Sequence, residues 1–171
     1  YEKFPKPDYC LALHASPQIA HGEINYSEGL ALANVDTVDI LVKGKGGHGA
    51  APHTSIDPVV IAARIIIDLQ TIISRERNPL DPAVVTVGSI HGGTKHNIIP
   101  NEVKLQLTVR SMKDEVRQRL LQGIQRIANA AAQGARAPEP IFKVDLDNFT
   151  PSLSNHGELA RKTAAVFQGV L

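Results

Sequence analysis

Val103-Lys104-Leu105-Gln106-Leu107-Thr108-Val109-Arg110 alternates without a break between apolar and polar side chains. Successive side chains of a strand point to opposite faces, so this run predicts a strand with one apolar and one polar face. Sheets made of such strands are covered on one side only. Immediately downstream, Ser111-Met112-Lys113-Asp114 resembles a helix capping box. Val116, Leu120, Ile124, Ile127 and Ala131 then recur at helical spacing, and Gly134 suits the C-terminal cap. Residues 141–146 read as a further strand.

Upstream, Val38, Ile40 and Val42 mark another half-buried strand. Thr54 or Ser55 can cap a following helix, and Pro58 suits its first turn. That helix carries Ile56, Val59, Val60, Ala63, Ile66, Ile67 and Ile73, and Asn78-Pro79-Leu80-Asp81-Pro82 stops it. Residues 83–90 form a strand rich in β-branched side chains. The order over residues 32–147 is β-α-β-β-α-β. It predicts an α+β, ferredoxin-like domain: a four-stranded antiparallel sheet with two helices on one face. Residues 1–31 and 148–171 flank it. In the first flank Leu11-Ala12-Leu13 reads as a short buried strand ending at His14. In the second, Leu159, Ala160, Thr163, Ala164 and Phe167 are compatible with one more helix.

The 171 residues are 43% apolar and 20% charged, as in a globular protein, and the net charge is +1. That balance gives no electrostatic case for nucleic acid or a membrane surface. RNA-binding domains of the same strand order stack bases on aromatics, and residues 83–90 and 101–110 contain none. No apolar run approaches the length of a membrane span. The single cysteine, Cys10, excludes an internal disulfide and fits a reducing, cytoplasmic compartment. The chain begins Tyr1-Glu2-Lys3-Phe4, its one methionine is Met112, and it ends on an apolar stretch, so it reads as a piece of a longer protein.

Chemistry concentrates in two glycine-rich loops. Gly44-Lys45-Gly46-Gly47-His48-Gly49 packs four glycines around one imidazole; glycine permits positive φ and close approach of another molecule. The second loop, ending Lys95-His96-Asn97-Ile98-Ile99-Pro100, leads into the strand that carries Arg110. A guanidinium fork matches a carboxylate, an asparagine amide adds a donor and an acceptor, and an imidazole N–H can stabilise an oxyanion. Each residue also has a plainer reading. Arg110 can be a solubilising charge, Asn97 a turn former, and His48 a cap for a backbone group.

The segments GKGGHGAAPHTSIDPVV (residues 44–60), GGTKHNIIPNEV (92–103) and LTVRS (107–111) resemble the dimerisation (lid) domain of the M20 metallopeptidases. The subgroup is that of the N-acyl-amino-acid amidohydrolases, such as hippurate hydrolase and the auxin-conjugate hydrolases. LALHASP before the lid and PSLSNHGEL after it extend the resemblance. It implies a lid over residues 32–147 inserted in an α/β zinc-peptidase catalytic domain, with fragments of that domain at 1–31 and 148–171. It also implies a homodimer through the lid, a small N-acyl amino acid as substrate, and two divalent metal ions (zinc, or manganese, cobalt or nickel). His48 matches the histidine that reaches the partner's active site, Asn97 and Arg110 the groups on the substrate carboxylate, and His14 a metal ligand. The family's Cys-x-His pair, paired glutamates and C-terminal metal histidine are missing; Cys10 does not supply the first, because position 12 is Ala12. The chain alone is therefore expected to hold no metal pair and to be inactive. A stand-alone ferredoxin-like dimerisation or small-molecule-binding module is the alternative, but it accounts for neither His14 nor the chain ends.

Overall fold

The computed structural model describes residues 5–170; the terminal stretches at 1–4 and 171 lie outside it. The central sheet comprises β2 (Val35–Lys43), β4 (Ala83–His91), β6 (Glu102–Ser111) and β7 (Ile141–Thr150), following β1 (Gly29–Leu32) in the chain. Its order is β4-β6-β2-β7, antiparallel throughout. Helices α1 (Pro58–Thr71) and α2 (Asp114–Gly134) supply the connections and cover one face. This is the ferredoxin-like arrangement expected from the alternation.

The core lies between sheet and helices. Val38, Ile40, Val42, Val103, Leu105, Leu107 and Val109 meet Ile61, Ile65, Leu69, Leu120 and Ile124, all essentially out of solvent. The opposite face is open, and Thr37, Asp39, Gln106 and Thr108 stand on it. Gln106 bridges two strands there, donating to Asp39 Oδ1 (3.1 Å) and bonding Ser89 Oγ (3.0 Å).

Two helix starts differ from expectation. Asp57 caps α1, accepting from the Val59 N–H at 2.8 Å, while Thr54 and Ser55 belong to a short 3₁₀ turn before it. The capping box at Ser111 does not form. Ser111 is buried at the end of β6, and its N–H and hydroxyl both engage Asn34 Oδ1 (2.6 and 3.2 Å). At the other end of α2 the left-handed position falls to Arg136 (φ 56°), two residues beyond Gly134.

Residues 11–13 are not a buried strand. Leu11 and Leu13 are 64% and 76% exposed, and no described strand pairs with them. An apolar run becomes a strand only where another edge satisfies its backbone. The flanks meet elsewhere: β1 pairs with β8 (Leu153–Asn155), Asn155 donates to the Ser27 carbonyl, and Arg161 on α3 (Gly157–Gln168) bonds Glu28. No described helix is long and apolar enough to cross a membrane.

Candidate functional site

The two glycine-rich loops close on each other at the end of the sheet where β6 begins. Gly47 and His48 (β3) pair with Ile98 and Ile99 (β5) in a two-residue ladder. The Gly49 N–H donates to the Asn97 carbonyl at 2.8 Å. Asn101 anchors the other side: its carbonyl accepts from the Gly44 N–H (2.8 Å) and its Oδ1 from the Gly46 N–H (2.9 Å). Lys45 and Ile56 exchange both backbone hydrogen bonds, tying the loop to the entry of α1.

The glycines therefore serve close approach, not positive φ. None of Gly44, Gly46, Gly47 and Gly49 has φ > 0. A Cβ on Gly46 would lie 2.8 Å from the Ile99 carbonyl oxygen, one on Gly44 would strike the Ile56 carbonyl, and one on Gly49 would press on the Asn97 backbone. Asn101 is the residue that sequence reasoning missed. Its signal was weak, an asparagine one position past the Asn-Ile-Ile-Pro turn.

His48 is exposed at the tip of this assembly. The Ala50 N–H donates to its Nδ1 at 3.1 Å. A backbone N–H can only donate, so Nδ1 is the unprotonated nitrogen and Nε2 carries the hydrogen of the neutral ring. The geometry presents an N–H donor outward on a rigid two-residue strand. Asn97 lies beside it, also exposed.

Arg110 is exposed on the open face, but at the opposite end of β6, beside Val84 of β4. Eight residues of strand separate it from Glu102, roughly 26 Å. One chain thus joins His48 to Asn97 and holds Arg110 apart. Between them, at the His48 end, a cleft of about 470 Å³ opens on the sheet, lined by Leu41, His91, Thr94, Ile98, Glu102 and Lys104 among others. Lys104 is paired with Asp39 at 2.8 Å and holds the Asp39 carboxyl below its usual range.

His14 is exposed in the first flank, its Nδ1 2.6 Å from the Ala15 carbonyl. Among the described residues no group of three or more His, Cys, Asp or Glu side chains could hold a metal ion. The described residues therefore do not fit a metal centre by themselves; His14 could supply at most one of the about four ligands zinc takes.

Residues 30–136 match the family described as the peptidase dimerisation domain of the M20 peptidases. The chain is 39% identical over 156 residues to an N-acetyldiaminopimelate deacetylase of Priestia megaterium, covering 91% of this chain and 41% of that one. It is 42% identical over 130 residues to the enzyme of the same description from Bacillus velezensis, covering 76% and 35%. Its fold is similar to a Bacillus subtilis structure described as a dinuclear metal-binding peptidase of the M20 family (TM-score 0.66, 29% identity, 92% of this chain and 37% of that one). The chain spans about two fifths of the length of the curated relatives it matches.

Proposed function

Because the chain belongs to the M20 peptidase dimerisation-domain family, we propose that it is the lid of a metal-dependent amidohydrolase that cleaves the amide of an N-acyl amino acid. The observation that carries this reading is the outward Nε2–H of His48, fixed by the Ala50 N–H on Nδ1. A preorganised donor of this kind stabilises the negative charge that develops on a scissile carbonyl oxygen. Asn97, held 2.8 Å from Gly49 through its carbonyl, keeps its side-chain amide free for the same substrate. Arg110 offers a planar fork to the amino-acid carboxylate.

The metals of such an enzyme polarise the carbonyl and activate water when bound. In this reading His14 supplies one ligand and further residues outside this chain supply the rest, so the 171 residues alone give no turnover. The curated relatives are named for the removal of an acetyl group from an amino acid, which fits a small acyl group and a carboxylate-bearing product. The enzyme acts as a homodimer, and the single cysteine fits a cytoplasmic setting.

The test is His48→Ala in the complete enzyme, assayed on N-acetyl amino acids. Loss of an oxyanion donor lowers kcat by about 10²–10³-fold. An unchanged kcat would remove His48 from this role.

A further inference from the structure

Helix α1 does not end as an ordinary α-helix. It runs into a π-helical turn (Ile72–Glu76), closed by the Arg77 N–H on the Ile72 carbonyl at 2.8 Å. Such turns are rare and recur at functional sites. This one sets Glu76 and Arg77 on the wall of a cleft of about 460 Å³ that opens between the turn and α2. Ala83, two residues beyond Asp81 of the same cleft, pairs with Ser111 at the far end of β6, so the cleft stands away from His48 and Asn97.

The charges of the cleft do not cancel. Its two acidic side chains are both answered: Glu76 by Arg126 (2.6 and 2.7 Å) and Asp81 by Lys113 (2.9 Å). Arg77 and Arg119 also line it, and neither has an ion-pair partner among the described residues.

Arg77 is held in a definite pose. Its Nη1 donates to the carbonyls of Asn78, Pro79 and Asp81 (3.3, 3.1 and 2.7 Å), which fixes the plane of the guanidinium. The other edge is unmet: Nε is buried without a partner, and Nη2 has none among the described residues. That is the edge with which Arg117 grips the Asp36 carboxylate, Nε on one oxygen at 2.8 Å and Nη2 on the other at 2.7 Å. A buried donor left unmet is costly, so native folds answer such groups with water, an ion or a ligand. Two parallel N–H groups in a fixed plane match a carboxylate best. Other parts of the wall are apolar: Ile72, Val116 and Leu120 border the cleft and are otherwise almost wholly buried. A hydrated inorganic ion gains nothing from them, whereas a hydrocarbon body does.

We propose that this cleft binds a small monocarboxylate with a hydrocarbon body. Its carboxylate lies side-on to Nε and Nη2 of Arg77, Arg119 supplies a second positive charge, and the body packs on Ile72, Val116 and Leu120. The site goes beyond the amidohydrolase reading and does not rest on it. That reading places a carboxylate on Arg110, so the test keeps the two apart.

Pentanoate is titrated into the ¹⁵N-labelled 171-residue chain and the amide shifts are followed. Saturable shifts should appear at Ile72, Arg77 and Gly123 and persist in Arg110→Ala. 1-Pentanol and inorganic phosphate should bind more weakly by about tenfold or more. Arg77→Lys keeps the charge but loses the fork, and should weaken binding by about ten- to a hundredfold. Because Arg77 also ties down residues 78–81, Arg119→Ala is the second variant. Its side chain is exposed, so it should fold as the parent does and bind about two- to fivefold more weakly. Shifts confined to the neighbourhood of Asn97 and Arg110, or a titration that never saturates, overturns the site. So does an unchanged affinity in folded Arg77→Lys, or in Arg119→Ala should the lysine variant not fold. Phosphate bound as tightly as pentanoate overturns the carboxylate as its ligand.

Discussion

At the scale of single residues, backbone constraint decides more than side-chain identity. Arg136 ends α2 in a left-handed conformation, its N–H bonded to the Gln133 carbonyl and the next N–H to Ala132. A residue with a Cβ is strained there by about 1–2 kcal/mol, of which glycine's greater freedom in the unfolded chain offsets part. Arg136→Gly should therefore stabilise the chain by about 0.5 kcal/mol in urea denaturation, and Arg136→Ala should not. Asp39 shows the same logic in charge. The Lys104 ammonium beside it lowers its pKa, with Gln106 assisting. A carboxyl lowered in the folded state contributes stability above its unfolded pKa, and that contribution is lost as pH falls through the folded pKa. Chemical denaturation between pH 6 and pH 2 should show wild-type stability dropping more steeply below about pH 4 than that of Asp39→Asn. Coincident acid limbs would mean that the Lys104 pair adds nothing.

At the scale of elements, the end of the sheet near Arg110 is locked by a buried polar cluster. Asp36 is fully out of solvent on the core side of β2 and takes a bidentate pair from Arg117 of α2 (2.7 and 2.8 Å). The Arg117 guanidinium also lies 4.3 Å over the Phe149 ring of β7, and Asn34 bonds Ser111 alongside. This joins β2, β6, β7 and α2 through directional polar contacts beside the apolar core. Arg117→Leu leaves a buried carboxylate unpaired and should cost about 3–5 kcal/mol, whereas Asp36→Leu with Arg117→Met should cost far less, both read by urea denaturation. A cost of the single change below about 1 kcal/mol would show that water reaches Asp36. Sequence reading found β6 and α2 because their periods are strict, but it could not find this cluster. Asp36 sits in an apolar alternation where a charge counts as solvent-facing, and its partner lies 81 residues away. For the same reason Ser111 read as a cap. Pattern sees neighbours along the chain, not across it. The loop around His48 stood out as a candidate site from its glycines. Yet their role, close packing against Ile56, Ile99 and Asn97, depends on a second loop that only the fold brings near. The separation of Arg110 from His48 required the length and register of β6.

At the scale of the molecule, stability and connection are divided between regions. Every buried residue of the core lies between Val38 and Ala132, with Phe142 and Val144 packed against it. Residues 5–33 contain no buried side chain, and neither does α3. What the flanks contribute is a clasp, β1 against β8 with Glu28 on Arg161, that draws the entering and leaving chain together. Exposed ion pairs and a three-residue strand contribute little folding free energy. A chain cut to residues 33–151 keeps all four strands of the sheet, both covering helices and the Asp36–Arg117 pair. It should unfold in one transition with a Tm within about 4 °C of the whole chain, since about 1 kcal/mol corresponds to a few degrees in a domain of this size. The denaturant slope should be nearly unchanged, because it scales with the surface exposed on unfolding and the flanks bury none of the core. If the Tm instead drops by tens of degrees, the β1–β8 clasp holds the sheet closed, and the lid is not an independent folding unit.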